Sequence, residues 1–151
     1  MSDADKMSDY VTFMTGDQLF GLPIERVQDV FKPTRMTRVP LASSEIAGVL
    51  NLRGRIVTAV ELRSRLGMSA RGQQQAPMAI GIESRNESFG LLVDSVGEVL
   101  KLPESAREAN PINLDRNLSR VAAGVFRLDG HLLVVLDIDR VLDLTPEAVA
   151  A

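Results

Sequence analysis

The order of apolar and polar residues predicts a chain made mostly of short β-strands. In the stretch Ile46 to Gly67, aliphatic and β-branched residues lie on both sides of the pair Arg53-Gly54, a pattern typical of two strands joined by a tight turn. A two-residue hairpin turn favours Asn-Gly or Asp-Gly, because both central residues need positive φ. Arginine gains nothing from that backbone, so Arg53 is a candidate for a function other than turning the chain.

This hairpin is repeated later in the chain. The stretch Ala123 to Leu142 aligns with it without a gap at a shift of 76 positions, so that Gly130 meets Gly54. At the turn itself Asp129 meets Arg53, and the second copy therefore has the expected Asp-Gly pair. We interpret the shared positions as requirements of the fold and the exchanged position as a requirement of function.

A second block is also duplicated, at a shift of 69 positions. The segment Phe20-Gly21-Leu22 meets Phe89-Gly90-Leu91, and the matches continue with Val27 and Val96, Asp29 and Glu98, and Val30 and Val99. The chain is therefore expected to be an internal duplication with approximate halves 10–83 and 84–144. Each half has about 65 residues and would be marginally stable alone. The halves are expected to bury a shared apolar seam, and a groove is expected at that seam.

The remaining pattern predicts further short strands, short helices and two polar ends. Residues 1–9 are expected to form a disordered tail, residues 10–144 the folded domain, and residues 145–151 a frayed end. Pro23 cannot donate to a sheet ladder, so the chain is expected to bend there. Further elements are predicted as strands at 10–14, 78–82 and 89–99, a short helix at 61–66, and a C-terminal helix that starts at Asp139.

Composition narrows the class of protein. The chain of 151 residues has a net charge of −3, 4% aromatic residues and no tryptophan, which disfavours nucleic-acid binding. It has no cysteine, which excludes a disulfide framework and thiolate chemistry. The acidic start is unlike a signal peptide, and no apolar run reaches the length of a membrane span. We therefore expect a soluble, cytoplasmic protein.

The residues that commonly carry catalysis or bind metals are sparse. The single histidine, His131, follows the Asp129-Gly130 turn, where it is expected to be exposed. Asp137 and Asp139 are separated by one residue and provide two carboxylates. A calcium or magnesium site needs more oxygen ligands at defined offsets. The glycines around Gly48 and Gly54 lack the lysine of a phosphate-binding loop. The sequence therefore predicts a protein that is not an enzyme, with no catalytic residues, no metal site and no cofactor.

Arg53 has two interpretations from the residues alone. A single arginine on a turn is commonly a solvated side chain. Arg53 also displaces a better turn residue, lies between Asn51 and Arg55, and belongs to a residue type that dominates interface energies. The duplicated valines likewise allow two interpretations, as ordinary core residues or as residues that line a groove between the halves.

These stretches resemble a known family. The segment GVLNLRGRIVTAVELRSRLG resembles the core motif of the CheW family, the coupling proteins of bacterial chemotaxis, and FGLPIERVQDVF and FGLLVDSVGEVL resemble its two matching strand blocks. The resemblance covers residues 10–144. It implies a mainly β fold of two intertwined five-stranded SH3-like barrels with short helices and a C-terminal helix.

The resemblance also implies partners. It implies a non-catalytic adaptor that joins chemoreceptors to a CheA-type histidine kinase, in arrays that meet the membrane only through the receptors. The cytoplasmic hairpin tip of a receptor would lie in the groove between the barrels, against Ile24, Val27, Asp29, Gly48, Asn51, Arg53, Val96 and Val99. The regulatory domain of the kinase would contact an apolar surface of the first barrel, for which Met36, Val39 and Leu41 are the candidates.

Other functions remain as alternatives. A CheA-type kinase and a CheV-type protein need further domains, for which the chain is too short. An SH3-like scaffold that binds peptides in another bacterial signalling system would need an aromatic-lined groove. One tyrosine and five phenylalanines provide little for such a groove. A hydrolase is disfavoured because the chain lacks a recognisable catalytic constellation.

Overall fold

The computed structural model describes residues 6–40, 43–72 and 74–143. The strands in these ranges are β1 (Met7–Thr15), β2 (Gln18–Pro23), β3 (Val27–Phe31), β4 (Ile46–Leu52), β5 (Arg55–Glu61), β6 (Met78–Ser84), β7 (Glu87–Val93), β8 (Ser95–Pro103), β9 (Ala122–Leu128) and β10 (His131–Leu136). The helices are α1 (Leu62–Arg65), α2 (Arg116–Val121) and α3 (Ile138–Val141), with 3-10 turns at Ile24–Arg26 and Glu104–Ala106. No helix among the described residues is long and apolar enough to cross a membrane.

The strands form two five-stranded sheets, which we call sheet 1 and sheet 2. Sheet 1 has the order β8-β1-β2-β10-β9, and sheet 2 has the order β3-β6-β7-β5-β4. Neighbouring strands are antiparallel except for β2 with β10 and β5 with β7, which are parallel. The two orders match strand for strand when each strand is replaced by its duplicate. The structure therefore retains the duplication that the sequence contains.

The match extends to individual residues. Phe20 pairs with Val134 in sheet 1, and Phe89 pairs with Thr58 in sheet 2. Phe89 duplicates Phe20 at the shift of 69 positions, and Val134 duplicates Thr58 at the shift of 76 positions. Duplicated residues therefore form equivalent cross-strand pairs in the two sheets.

Each sheet takes strands from both copies of the duplication. In sheet 1, β1 and β2 of the first copy join β8, β9 and β10 of the second copy, and sheet 2 has the reverse composition. The sheets therefore do not coincide with the expected halves 10–83 and 84–144. The physical reason is that β3 and β8 follow β2 and β7 after short connections, and each leaves the sheet of its predecessor to form an edge of the other. The expectation of two intertwined five-stranded units is confirmed.

Apolar clusters hold this arrangement together. The largest in the described part of the chain contains side chains from both sheets and from α1, α2 and α3, among them Phe13, Leu22, Leu62, Ile80, Leu118 and Ile138. We call it the central core, and it is the shared seam that the duplication predicted. Two smaller clusters each belong to one sheet, one around Tyr10 and Phe126 and the other around Leu50 and Val57.

The ends of the elements differ in places from the pattern-based expectations. β1 begins at Met7, so residues 7–9 of the expected disordered tail pair with the distant strand β8. The expected bend at Pro23 is present, since β2 ends there. The C-terminal helix is the short α3, and its N-cap Asp137 accepts a hydrogen bond from the Arg140 backbone. Residues 1–5 of the expected tail and the expected frayed end at 145–151 lie outside the described residues.

Candidate partner-binding site

The turn between β4 and β5 holds Arg53 in an unusual backbone conformation. Arg53 has φ 55° and Gly54 has φ 83°, which are left-handed values for both central residues. In the duplicate turn only Gly130 has a positive φ, at 81°. The Asn51 side-chain oxygen accepts a hydrogen bond of 2.8 Å from the Gly54 backbone and closes the turn. For a residue other than glycine or asparagine, this left-handed conformation costs about 1 kcal/mol of conformational free energy. Such positions cluster at functional sites.

The side chain of Arg53 points along the surface towards β3. Its Nη1 lies 3.4 Å from Oδ2 of Asp29, and its side chain is 81% exposed. The other Asp29 oxygen accepts a hydrogen bond of 2.8 Å from the Val30 backbone. Ion pairs this exposed contribute less than about 1 kcal/mol to folding. The guanidinium therefore remains available to a partner's acceptor groups.

An open cavity of about 460 Å³ adjoins this pair. Arg53, Arg55 and Asp29 are among its polar lining residues, and its apolar lining consists of Phe31, Leu52, Val57, Ile82 and Phe89. Apolar lining beside a few charged groups is the usual composition of a recognition site.

The central core reaches the surface along sheet 1. Leu22, Val11 and Val99 are cross-strand neighbours on β2, β1 and β8, so their side chains lie on one face. Their exposed fractions are 0%, 6% and 50% in that order. Burial therefore declines from the seam to the edge strand β8, where Val99 is half exposed.

Sheet 2 has an equivalent set of cross-strand neighbours. Leu91, Ile80 and Val30 are cross-strand neighbours on β7, β6 and β3, with exposed fractions of 0%, 0% and 38%. Val30 was absent from the residues assigned to the receptor groove. The signal that could have identified it was its alignment with Val99 in the duplication.

Val27 and Val96 lie where both edge strands meet the central core. Each is partly buried and packs against that core. The sequence left open whether the duplicated valines are core or groove residues. The structure divides the valines into two groups. Val27 and Val96 pack on the core, whereas Val30 and Val99 are exposed.

β1 lies between two strands, and near each of them is an exposed apolar residue. Tyr10 pairs with Pro23 on one side and with Leu100 on the other. Two strand spacings place those partners about 10 Å apart. Ile24 and Val99 follow and precede them in the chain, and these side chains are 41% and 50% exposed. The two exposed apolar residues therefore flank β1, and both remain available for contact with a partner.

Gly48 is placed differently from the other residues expected at the groove. It is buried, and a Cβ there would lie 2.5 Å from the Thr37 carbonyl oxygen and 2.8 Å from Met36 Cγ. The duplicate Gly124 lies in the same way beneath the Glu108 carbonyl, whose oxygen would be 2.9 Å from a Cβ at that position. The close approach that Gly48 permits is therefore to its own chain.

The residues assigned to the kinase surface lie on the segment that crosses Gly48. Thr37 and Val49 exchange two backbone hydrogen bonds of 2.8 Å, which attach this segment to β4. Met36 is 37% exposed and Val39 is partly buried. Leu41 lies outside the described residues. The segment presents an apolar side chain beside a sheet edge.

A partly buried ionic network, which the sequence did not predict, anchors the start of β8. The Asp94 carboxylate accepts hydrogen bonds of 2.7 and 2.9 Å from Arg63, of 2.9 Å from Arg71 and of 2.8 Å from the Gly16 backbone. Arg71 also pairs with Glu61 at 2.6 Å. We call Glu61, Arg63, Arg71 and Asp94 the Asp94 network. The hydrogen bond from Arg63, followed by those from Gly16 and Arg71, lowers the Asp94 pKa to about 2.

The described part of the chain contains no cluster of three or more His, Asp or Glu residues that is arranged to hold a metal ion. His131 is exposed next to its turn.

Two interlocked five-stranded sheets with a shared core, and an open surface cavity lined in part by an exposed arginine, define a β-rich domain suited to binding another protein. The model of the CheW-like domain family matches residues 9–145. The chain belongs to this family.

Individual relatives match along most of the chain. The chemotaxis protein CheW of Thermotoga maritima is 29% identical over 143 residues, which cover 95% of this chain and 93% of the relative. The chemotaxis protein CheW of Helicobacter pylori is 24% identical over 140 residues, which cover 93% of this chain and 84% of the relative. The crystal structure of the scaffolding protein TtCheW from Thermoanaerobacter tengcongensis matches with a TM-score of 0.82 and 27% identity, covering 93% of this chain and 95% of that one. This match confirms the predicted fold class.

Proposed function

We propose that this protein is a non-catalytic adaptor of bacterial chemotaxis, which couples chemoreceptors to a CheA-type histidine kinase in signalling arrays. The observation that carries the proposal is Arg53, which is 81% exposed and held at positive φ beside the groove. Positions with this backbone cost cluster at functional sites, and Arg53 also lines the cavity beside Asp29. Membership of the family of chemotaxis proteins supplies the biological context.

The receptor surface of the proposal is the groove between β3 and β8. Ile24 and Val99 are its exposed apolar anchors, and Arg53 with Asn51 provides a polar border. A helix laid in a groove uses a few apolar anchors and a small number of polar contacts. The cytoplasmic hairpin tip of a chemoreceptor has this helical form, and carboxylates on it would pair with Arg53.

The kinase surface of the proposal is the segment that crosses Gly48. Met36 and Val39 are its described apolar residues, and Leu41 continues it in sequence. Its attachment to β4 through Thr37 and Val49 fixes its position relative to the sheet. The regulatory domain of a CheA-type kinase is the proposed partner. Because the crossing segment lies on β4, whereas the proposed groove is bordered by β3 and β8, one molecule can contact both partners.

The proposed mechanism needs no cofactor. An array makes moderate contacts many times, and multivalency raises the effective affinity without tight single bonds. The protein would lie in the cytoplasm, at the inner face of the membrane, because the receptors hold it there. Receptor movements would pass through the adaptor as a change in the geometry of its two binding surfaces.

The receptor part of the proposal is tested by calorimetric titration of Arg53→Ala with a soluble receptor hairpin tip. We expect binding to weaken by about 2 kcal/mol or more, roughly 30-fold, with an unchanged melting temperature. Arg85→Ala is a matched control, because Arg85 is also exposed and at positive φ, 52°, in the β6–β7 turn. Equal affinity of Arg53→Ala and wild type would contradict the role assigned to Arg53.

The kinase part is tested by titration with the regulatory domain of a CheA-type kinase from the same genome. We expect saturable binding with one kinase domain per adaptor. Failure to bind any such kinase would remove this partner and favour a peptide-binding scaffold of another signalling system.

A further inference from the structure

The two strands that border the proposed groove are held to their sheets to different extents. β8 has nine residues and pairs with β1 from Met7–Pro103 to Met14–Ser95, with an irregularity between Val11 and Phe13. β3 has only five residues and pairs with β6 from Val27–Ile82 to Phe31–Ala79, with an irregularity after its first pair. Both are edge strands, so neither has a second neighbour that compensates.

The start of β8 is anchored by the Asp94 network. The Asp94 backbone donates a hydrogen bond of 3.0 Å to the Met14 carbonyl, while its carboxylate holds the Gly16 backbone. Arg63 and Arg71 complete the network, and their side chains are only 13% and 8% exposed. Buried charge-assisted hydrogen bonds are stronger than exposed ones. This end of β8 is therefore joined at once to sheet 1, to α1 and to the loop after α1.

The start of β3 has no comparable anchor among the described residues. Glu25 occupies the position that duplicates Asp94, and its side chain is exposed. The ion pair nearby joins Arg26 to Asp139 at 3.6 Å, with the two side chains 36% and 63% exposed. Further along β3, Asp29 pairs with an arginine that is 81% exposed. Solvent and salt weaken pairs of this kind.

We propose that β3, with the 3-10 turn before it, is the movable side of the groove, and that β8 is the fixed side, positioned by Asp94. The identity of the partner that the groove would bind, a chemoreceptor tip, rests on the proposed function. A helical receptor tip would contact Val99 on a preformed strand, and β3 would close on it through Ile24 and Val30. Segments that move on binding come from the least stable parts of a fold.

The first test is hydrogen–deuterium exchange of the full chain without any partner. We expect the backbone amides of residues 24–31 to exchange about tenfold faster than those of residues 94–100. Equal exchange, or faster exchange in 94–100, would overturn the proposal. Because no partner is present, this result does not depend on the proposed function.

The second test separates the role of Asp94 from general stability. Asp94→Asn is expected to raise exchange in residues 94–100 about tenfold while leaving residues 24–31 unchanged. Arg71→Ala, which removes one member of the network, is the milder variant if Asp94→Asn does not fold. Asp139→Asn is the matched control on the β3 side and should leave residues 94–100 as in wild type. Full protection of residues 94–100 in both network variants would contradict the positioning role of Asp94.

The third test adds a soluble receptor hairpin tip. We expect protection to increase in residues 24–31 more than in residues 94–100. If the tip binds but protection increases in residues 24–31 no more than in residues 94–100, the proposal that β3 is the movable side of the groove would be overturned. Absence of binding would contradict the proposed function, whereas the exchange difference in the free protein would still decide the structural proposal.

Discussion

The Arg53 guanidinium lies 3.4 Å from the Asp29 carboxylate and joins two elements at opposite ends of one sheet. In the order of sheet 2, β3 is the first strand and β5-β4 are the last, yet the β4–β5 turn reaches β3. A flat sheet would keep these elements several strand spacings apart. The pair therefore shows that sheet 2 curls towards closure, and it places Arg53 in the lining of the cavity of about 460 Å³.

The Arg53–Asp29 pair is predicted to contribute little to folding. A double-mutant cycle with Arg53→Ala and Asp29→Ala should give a coupling energy below about 1 kcal/mol in urea unfolding. The reason is the high exposure of the arginine. A larger coupling energy would assign the pair a structural role instead of a role in recognition.

Gly48→Ala is predicted to destabilise the protein by about 1 to 3 kcal/mol. The new Cβ would lie 2.5 Å from the Thr37 carbonyl oxygen, so the crossing segment must shift away from β4. Urea unfolding measures the loss. Gly72→Ala is the control, because its Cβ would meet nothing within 4 Å, and its stability should match wild type within about 0.5 kcal/mol.

The Asp94 carboxylate is predicted to make folding acid-sensitive. Its pKa falls from 3.8 to about 2 on folding, so its contribution is complete above pH 4 and is lost as the pH falls through 2. The contribution is about 2 kcal/mol. Urea unfolding between pH 5 and 2 should show that Asp94→Asn lacks this part of the decline.

Asp129→Asn is the control for the acid experiment. Asp129 is an exposed carboxylate at the duplicate turn, outside the Asp94 network. This variant should keep the acid dependence of wild type. An Asp94→Asn protein with the same acid dependence as wild type would show that the network does not couple folding to protonation.

Tyr10 is predicted to make folding sensitive to alkali. Burial, together with the hydrogen bond that its hydroxyl donates to Glu104 at 2.8 Å, raises its pKa from 10.0 to about 12. The neutral phenol therefore stabilises the fold fully below pH 10, and this contribution of about 3 kcal/mol is lost as the pH rises towards 12.

The tyrosine experiment is direct because the chain contains one tyrosine. Phenolate absorbance should titrate at about pH 12 in the folded protein and at about 10 in urea. Tyr10→Phe should lose about 1 kcal/mol at neutral pH, since Glu104 loses a donor. Titration of the folded protein near pH 10 would contradict the buried, hydrogen-bonded phenol.

Several features of the site could be predicted because they depend on local chemistry. Arg53 was identifiable as an arginine where turn geometry favours asparagine or aspartate, and its positive φ explains why. The duplicated valines lie on the two edge strands, but the predicted strand at 89–99 is divided in the structure into β7 and β8, which belong to different sheets. Gly48 was assigned to the groove through the family resemblance, and only its position beneath Thr37 shows that its close neighbour is its own chain.

The sequence by itself determined the short strands, the duplication and the unusual turn, because alternation of side chains and turn preferences act over a few residues. The tertiary structure alone decided the exchange of β3 and β8 between sheets, which depends on where edge strands find partners far away in sequence. It also decided the Asp94 network, which joins residues from four separate segments. Such long-range pairing of charges follows from packing and has no local sequence signal.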